Sequence, residues 1–363
     1  MLAYRAEADA LDTRILEAIR SGNLVAEAFD RLACAIFAHQ FRWNAPYAAY
    51  ARNRGVRTDA LPQTAADIPA VPAAAFKEAV LSTTDPARAD IWFETSGTTL
   101  GTSGRHYLES STLYEAALLA GFDRALLADG ARLRYLLLVP DARERPHSSL
   151  GFMMDRIATL RGDGREGRYV QGEELDIDTF LRDADAAAAE HVPVCIAATA
   201  FALVALVDAL AARGRRVALP GGSRIMETGG FKGRARVVER SKLYAAVEDG
   251  LGVPTSSIVA EYGMTELSSQ YYDSHACRSA AARIKVWPPW LRPIVVDPQG
   301  RPVARGIVGA LRHIDCANRS SVVAIETEDL GVLTDDGLVL VGRERGAELR
   351  GCSLDAEDLA ARS

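Results

Sequence analysis

A run rich in threonine, serine and glycine occupies residues 95–105, with the sequence TSGTTLGTSGR, and it follows a strand-like apolar segment at 91–93. Glycine allows backbone conformations with positive φ and lets backbone N–H groups approach a ligand closely. Successive N–H groups in such a turn make a concave anion site, and the guanidinium of Arg105 adds a fixed positive charge. The run therefore predicts a polyphosphate site, although runs of this composition are usually solvated loops. No Gly-Lys-Ser/Thr sequence follows the glycines, which excludes a Walker A loop.

Two further motifs lie downstream of this run. Residues 261–266 read EYGMTE and follow an apolar segment, so they are expected where a strand ends. Residues 327–330 read TEDL, and Gly342 and Arg343 follow them along the chain. A carboxylate such as that of Asp329 can accept hydrogen bonds from two neighbouring hydroxyls, which suits a sugar.

In type and order these motifs resemble the adenylate-forming (ANL) enzyme superfamily, whose corresponding patterns are T-S-G-T-T-G-x-x-[KR], Y-G-x-T-E and T-x-D-L…G-R. The chain departs from the first pattern by the inserted Leu100 and by Arg105 in place of the usual lysine. The resemblance spans residues 95–343. It implies that the chain binds ATP and Mg²⁺ and converts a carboxylic acid to an acyl-adenylate.

The resemblance assigns phosphate and metal contacts to particular residues. Arg105 would neutralise the departing pyrophosphate, and Thr265 would contact the α-phosphate. Glu266 would bind Mg²⁺, a hard cation that takes carboxylate and phosphate oxygens; the alternative is a glutamate favoured in the first turn of a helix. The remaining candidate phosphate-binding residues are Thr95, Ser96, Gly97, Thr98, Thr99 and Ser103.

Nucleoside contacts are implied by the second and third motifs. Tyr262, between Glu261 and Gly263, offers a ring that could stack on adenine, although a tyrosine after a strand is also an ordinary core residue. Asp329 and Arg343 are the candidates for the ribose hydroxyls. A turn residue and a surface ion pair are the respective alternatives for these two side chains.

Three residues outside the motifs are also candidates. Gly229 and Gly230 follow an apolar segment and would let the chain pass close to adenine or the acyl group, or would form a plain turn. His147 lies where relatives carry an aromatic residue or a histidine near the carboxylate, and histidine changes charge near neutrality. A purely structural histidine remains the alternative at this position and at His106.

The last part of the chain indicates which family of the superfamily the chain resembles. Only ERGAELRGCSLDAEDLAARS follows Arg343, and it contains no lysine, whereas full-length superfamily members usually continue into a domain with a catalytic lysine. This ending, with HYL at 106–108 and ELSSQ at 266–270, resembles the acyl-protein synthetase family of bacterial luminescence operons (the LuxE type). In that family a cysteine near the C-terminus accepts the acyl group, and the matching residue is Cys352. Neighbouring arginines could lower the pKa of its thiol; an idle cysteine is the alternative.

Composition and charge restrict the class of protein. A net charge of −6 argues against a nucleic-acid-binding face. The five cysteines form no CxxC pair, so neither a zinc site nor a disulfide framework is indicated, and the odd number suits a reducing compartment. The N-terminus is charged, and the apolar run at 195–212 contains Asp208, so neither a signal peptide nor a membrane span is predicted. A cytoplasmic location is expected.

The elements that position these residues alternate between strand and helix after residue 90. Continuous apolar strands separated by helices predict an α/β fold with a sheet covered on both faces, and ligands in such folds collect at the carboxyl ends of the strands. The fold class expected is the N-terminal core of an adenylate-forming enzyme, with a small β-rich lobe and without the full C-terminal lysine domain. The predicted regions are a helical part at 1–88, an adenylation core at 89–284, the β-rich lobe at 285–342 and a tail at 343–363.

The predicted function is ATP-dependent activation of a carboxylic acid, which is small or fatty, followed by a thioester on Cys352 and transfer to a partner. An acyl reductase and an acyl-carrier protein are the candidate partners. Two alternatives remain open at this point. One is a CoA ligase or an enzyme that transfers the acyl group to a carrier protein or an amine; the other is a non-catalytic nucleotide-binding subunit.

Overall fold

The computed structural model describes residues 2–95, 103–172, 174–229, 239–275 and 283–343, and every structural statement below concerns these residues. Their α-helices are α1 (Leu2–Ser21), α2 (Ala26–Trp43), α3 (Ala45–Asn53), α4 (Thr112–Leu126), α5 (Ser149–Arg161), α6 (Ile177–Ala189), α7 (Ala200–Ala212) and α8 (Arg240–Leu251). Their strands are β1 (Val71–Pro72), β2 (Ile91–Glu94), β3 (Arg105–Leu108), β4 (Arg134–Leu138), β5 (Gly167–Arg168), β6 (Val170–Gln171), β7 (Glu174–Leu175), β8 (Val194–Thr199), β9 (Arg224–Thr228), β10 (Ile258–Tyr262), β11 (Tyr271–Asp273), β12 (Ile284–Val286), β13 (Leu291–Val296), β14 (Val308–Asp315), β15 (Ala324–Leu333) and β16 (Leu338–Arg343).

The chain divides into two compact units. The first comprises the described residues within Met1–Gly121, Met264–Gln270 and Val286–Ser363, and the second those within Phe122–Gly263 and Tyr271–Lys285. The predicted boundaries after residues 88, 284 and 342 rest on the sequence pattern and stay a prediction.

Helices α1 to α3 begin the first unit, as the apolar spacing of the N-terminal region predicts. In α1 the buried residues Leu11, Ile15 and Ile19 recur every four positions, which places them on one face of the helix. Asn44 ends α2 and caps α3, because its side chain accepts a hydrogen bond from the backbone N–H of Tyr47 at 3.2 Å.

A small antiparallel sheet completes the first unit. Strands β13, β14, β15 and β16 pair antiparallel in chain order, and β1 pairs parallel with β15. The turns between them contain Gly300 and Gly306 with φ of 75° and 84°, a conformation that favours glycine. The predicted β-rich lobe is therefore confirmed as an antiparallel sheet.

The second unit contains the parallel sheet that the apolar segments predict. Strands β10, β9, β8 and β4 lie side by side and run parallel, and β11 pairs antiparallel with β10. Helices α6, α7 and α8 pack on this sheet, with Phe180, Leu203 and Val247 fully buried against Ile196 and Ile258. Each such side chain contributes about 1.5–3 kcal/mol by its burial. Every predicted apolar segment of this sheet is a strand, so the α/β prediction is confirmed.

One expectation about the strands is wrong. The segment before the glycine-rich run was expected to be a strand of the parallel sheet, but β2 pairs antiparallel with β3 in a separate two-stranded hairpin. The reason is local: residues 91–94 find their hydrogen-bond partners at 105–108, close by in the sequence, rather than in a distant strand.

The apolar run at 195–212 forms β8 and α7. No helix of the described part of the chain is both long enough and apolar enough to cross a lipid bilayer.

Candidate functional site

The β2–β3 hairpin holds both ends of the glycine-rich run. Glu94 lies opposite Arg105 in the register. The backbone N–H of Thr95 donates to the Gly104 carbonyl at 2.9 Å, and the Gly104 N–H donates to Thr95 Oγ1 at 2.9 Å. The buried Thr95 thus closes the base of the loop, while Ser103 is exposed. The candidates Ser96, Gly97, Thr98 and Thr99 lie outside the described residues.

Gly104 fixes where this hairpin packs. A Cβ atom on Gly104 would lie 2.6 Å from the carbonyl oxygen of Phe76, closer than any side chain can approach. This glycine is therefore required by the close approach of two backbone segments in the first unit.

Arg105 presents its charge to solvent at the base of the loop. Its guanidinium lies over the indole ring of Trp92, with its carbon 4.5 Å from the ring centroid, which is cation–π geometry. The side chain is thereby directed along the hairpin while its donors stay exposed. An exposed guanidinium at this position suits an anion such as pyrophosphate.

Thr265 and Glu266 belong to the first unit, and Thr265 contacts the hairpin. The Oγ1 of Thr265 donates to the carbonyl of Glu94 at 3.4 Å, and the Nδ1 atom of His106 lies 2.8 Å from the Thr265 carbonyl. Residues 264–267 form a turn rather than the start of a helix, so the alternative of a helix first-turn glutamate is wrong for the largely buried Glu266. The structure therefore brings the first two motifs together.

A buried polar segment at 313–321, which the motifs did not reveal, supports this turn. Asn318 donates from Nδ2 to the Glu266 carbonyl at 2.9 Å, and its Oδ1 atom lies 3.0 Å from Nε2 of His106. Asp315 accepts from the N–H of Ser268 and from Oγ of Ser269, both at 2.8 Å. Burial raises the pKa of the Asp315 carboxyl to about 6, against the opposing effect of these donors.

The third motif brings its two candidates opposite each other. Asp329 on β15 and Arg343 on β16 are register partners, next to a bulge in the ladder. The Asp329 N–H donates to Oγ1 of Thr327 at 3.3 Å, and that hydroxyl donates to the Leu311 carbonyl at 3.2 Å. The pairing concerns the backbone only, and the roles of the two residues stay a prediction.

In the second unit, polar side chains share one row at the carboxyl ends of three parallel strands. Thr199, Thr228 and Glu261 are successive register partners on β8, β9 and β10. Thr199 caps α7 by accepting from the Ala202 N–H at 3.1 Å, and Thr228 donates a hydrogen bond to Glu261. Burial raises the pKa of the Glu261 carboxyl to about 7, while the Thr228 donor opposes that change.

A salt-bridge cluster holds the strand that carries Glu261. Lys285 donates to the Ala260 carbonyl at 2.6 Å and to Asp273 at 2.8 Å. Arg283 also donates to Asp273, at 2.8 Å, and Asp273 accepts from the Ala260 N–H at 2.8 Å. Every charged member of this cluster is buried but paired, which is how a buried charge is tolerated.

The other candidates of the second unit lie near strand or helix ends. The ring of Tyr262 is 5.5 Å from that of Tyr271, between centroids, and Gly229 has a φ of 76° directly after β9. His147 is half-buried immediately before Ser148, the residue whose side chain caps α5. Gly263 is exposed just after β10. Gly230 lies outside the described residues, and the roles of all five candidates stay predictions.

The pKa of Glu261 makes the stability of the fold depend on pH. A raised carboxyl pKa means that the fold favours the protonated form, so this contribution to stability is complete below the ordinary pKa of 4.5 and is lost as pH rises through about 7. We expect the free energy of unfolding to fall between pH 5 and pH 8 by about 2–3 kcal/mol more in the wild type than in Glu261→Gln. Urea unfolding at each pH measures this difference.

Comparison with the variant is needed because other groups also titrate. Asp315 contributes a slope of the same sign in both proteins, since burial raises its carboxyl pKa to about 6. Glutamine keeps an acceptor for Thr228 and removes only the ionisation. Identical pH slopes in the two proteins would show that Glu261 ionises in the fold as freely as in the unfolded chain.

The described cysteines are poor nucleophiles. Burial raises the pKa of the Cys34 thiol to about 11 and that of Cys195 to about 12, and it raises the pKa of Cys316 as well. Thiolate is the reactive form, so these three residues are unsuited to accept an acyl group. Cys277 and the predicted acceptor Cys352 lie outside the described residues.

Glu266 is the one residue that the motifs assign to magnesium. Among the described residues no three His, Cys, Asp or Glu side chains are grouped so as to hold a metal. Mg²⁺ in nucleotide sites commonly takes one or two carboxylates together with phosphates, so a single glutamate at Glu266 is compatible with that mode of binding.

Solved structures define the class of fold. A 2-hydroxyisobutyryl-CoA ligase in the postadenylation state, in complex with 2-HIB-AMP, matches with a TM-score of 0.64 at 14% identity, over 92% of this chain and 72% of that chain. ATP-bound MatB from Rhodopseudomonas palustris matches with a TM-score of 0.52 at 16% identity, over 72% of this chain and 49% of that chain. The chain thus has the fold of an adenylate-forming enzyme core, as the motifs predict.

The family follows from the sequence itself. The model of the family "Acyl-protein synthetase, LuxE" matches residues 171–359, just over half of the chain. The chain belongs to this LuxE family of the adenylate-forming superfamily. No curated protein matches it. The chain spans about half the length of several solved relatives, among them 49% of the amide bond synthetase McbA from Marinactinospora thermotolerans, which matches 71% of this chain at 20% identity with a TM-score of 0.48.

Proposed function

We propose that this chain uses ATP to activate a carboxylic acid as an acyl-adenylate and then carries the acyl group as a thioester on Cys352 before transfer to a partner. The observation that most supports the first step is the contact between two motifs in the first unit. The hairpin that carries the 95–105 run and the turn that carries Thr265 and Glu266 are joined through the Glu94 carbonyl and His106. Membership of the LuxE family supports the second step.

Adenylation requires positioning and charge stabilisation more than covalent chemistry by the protein. A carboxylate oxygen of the acid attacks the α-phosphorus of ATP, the bond to the bridging oxygen breaks, and pyrophosphate leaves with the electron pair. In this proposal Thr265 contacts the α-phosphate, and Arg105 and the 95–105 run hold the phosphates that depart. Mg²⁺, bound with the help of Glu266, offsets the phosphate charge.

The remaining candidates are assigned to the nucleoside and the acid. Asp329 and Arg343 would bind the ribose hydroxyls, in line with their register pairing. Tyr262 would offer its ring to adenine, with Glu261 and Gly263 on either side. In the same unit, Gly229 and Gly230 would let the backbone approach the ligand, and His147 would face the carboxylate.

The thioester step needs no reactant other than the acyl-adenylate and the thiolate of Cys352. The Cys352 thiolate attacks the acyl carbonyl, the carbon–oxygen bond to the phosphate breaks, and AMP leaves. The acyl group then passes to a partner, for which an acyl reductase and an acyl-carrier protein are the two classes considered. The family model includes position 352, whereas the described thiols are held in their protonated form by burial.

The test of the first step is exchange of labelled pyrophosphate into ATP. We expect exchange that depends on both Mg²⁺ and an added acid when the purified chain is screened with straight-chain, branched and aromatic carboxylic acids. An acyl-adenylate forms reversibly, so label enters ATP only if the acid is activated. The acid that gives the highest exchange rate identifies the substrate class.

Two other results would each contradict part of the proposal. Binding of ATP in calorimetry without exchange on any acid would favour a non-catalytic nucleotide-binding subunit. Acid-dependent exchange followed by rapid acyl transfer to free CoA, with no hydroxylamine-labile label on the protein, would favour a CoA ligase and would exclude the thioester step.

A further inference from the structure

Several side chains form hydrogen bonds with the backbone of the segment 265–269 and with the hydroxyl of Ser269. His106 faces the Thr265 carbonyl at 2.8 Å, and Asn318 donates to the Glu266 carbonyl at 2.9 Å. Further along the segment, Asp315 accepts hydrogen bonds from the backbone N–H of Ser268 and from the hydroxyl of Ser269. The two carbonyls held by His106 and Asn318 belong to the residues assigned to the α-phosphate and the metal.

The acceptor groups fix the direction of the hydrogen bonds that His106 and Asn318 make with the turn. A carbonyl oxygen can only accept, so Nδ1 of His106 donates to Thr265, and Nδ2 of Asn318 donates to Glu266. Oδ1 of Asn318 then faces Nε2 of His106 at 3.0 Å. A neutral imidazole carries only one N–H, which His106 uses for Thr265, so this is a side-chain contact and not a second hydrogen bond of the neutral ring. The two side chains are in contact, and each holds one of the two carbonyls.

Both residues are also buried and held by further contacts. His106 lies on β3, fully buried, with its ring packed edge-on against Phe76 at 5.8 Å between centroids. Asn318 is fully buried, and its own backbone carbonyl accepts from Gln40 at 2.8 Å. Because β3 is the returning strand of the hairpin that carries the 95–105 run, His106 links the position of that run to the position of Thr265.

We propose that His106 and Asn318 are positioning residues for adenylation, which set Thr265 and Glu266 against the hairpin of the 95–105 run. This proposal rests on the proposed function. It assigns to His106 and Asn318 a role that acts through the backbone of Thr265 and Glu266. A displacement of about 1 Å in a group that contacts the transition state can lower a rate about 100-fold, so small shifts of this turn are consequential.

Loss of a buried hydrogen-bond partner also lowers stability, so stability alone cannot distinguish positioning from packing. The test therefore compares His106→Asn with His39→Asn, the same substitution at another buried histidine of the first unit, whose Nδ1 lies 3.5 Å from Glu7. For each protein the melting temperature, the maximal rate of pyrophosphate exchange and the KM for ATP are measured at saturating Mg²⁺ with the acid that is best for the wild type.

We expect His106→Asn to lower the maximal exchange rate about 10- to 100-fold with a KM for ATP within about threefold of the wild type. His39→Asn should keep the wild-type rate even if its melting temperature falls. Asn318→Asp, which is isosteric but places an oxygen against the Glu266 carbonyl, should lower the rate similarly. The double variant should lose less than the product of the single losses, because the two side chains are in contact and hold adjacent carbonyls of the same turn.

Two results would overturn the proposal in distinguishable ways. Exchange rates of His106→Asn and Asn318→Asp within twofold of the wild type, in proteins that are folded by circular dichroism, would show that the two residues only pack. Fully multiplicative losses would show that they act separately. A wild-type protein that exchanges with no acid would overturn the proposed function, and with it this role.

Discussion

Replacement of Cys352 by alanine is expected to abolish stable acylation of the protein and to leave acid-dependent pyrophosphate exchange within about threefold of the wild type. The two steps use different groups: adenylation depends on the phosphate, metal and ribose contacts, whereas only the thioester needs a thiol. The measurement is covalent labelling with radioactive acid and ATP, followed by denaturing electrophoresis with and without hydroxylamine, which cleaves thioesters.

The matched control for Cys352→Ala is Cys34→Ala. Cys34 is half-buried in the first unit, and burial raises its thiol pKa to about 11, so at neutral pH it is almost entirely protonated. Cys34→Ala should therefore retain both labelling and exchange. Hydroxylamine-labile label that persists in Cys352→Ala would exclude Cys352 as the acceptor, and loss of exchange together with loss of label would show that Cys352 acts before or during adenylation.

The parallel sheet was predictable because its signal is local. β4 and β8 are almost entirely apolar, β9 and β10 contain shorter apolar segments, and such segments separated by helices have few other architectures available. The carboxyl-end rule then places Glu261 and Tyr262 at the ligand-binding edge. The hairpin was less predictable, because residues 91–93 are apolar in the same way as the sheet strands. Nothing in that segment alone shows that its partner is the nearby segment at 105–108.

The buried side chains that support the candidate site could not be identified from the sequence. The segment 313–321 contains Asp315, Asn318 and Arg319, residue types that normally lie at the surface, yet all three are buried. Their partners are far along the chain: Asn318 contacts Glu266 and His106, and Arg319 forms an ion pair with Asp12. A motif records residues that touch a ligand, whereas these side chains act on the backbone of a motif, which requires the tertiary structure.

We expect replacement of Glu266 to change strongly the dependence of pyrophosphate exchange on Mg²⁺. Glu266→Gln keeps the shape of the side chain and removes its charge, so attraction for Mg²⁺ falls while packing is retained. We expect the maximal rate of pyrophosphate exchange to fall by roughly 100-fold, equivalent to about 2.7 kcal/mol of transition-state stabilisation. The Mg²⁺ concentration for half-maximal exchange should rise by about tenfold or more, or about 1.4 kcal/mol.

The magnesium titration separates a metal-binding carboxylate from a structural one. Glu266 is largely buried in a turn whose carbonyl is held by Asn318, so its replacement can also change stability. A structural role predicts a lower melting temperature with an unchanged half-maximal Mg²⁺ concentration, and that result would remove Glu266 from the metal site. Glu78→Gln, at an exposed position of the same unit, should change neither quantity. The predicted rise depends on charge alone, so Glu266→Asp, which keeps the carboxylate on a shorter side chain, should recover part of the magnesium affinity that glutamine loses.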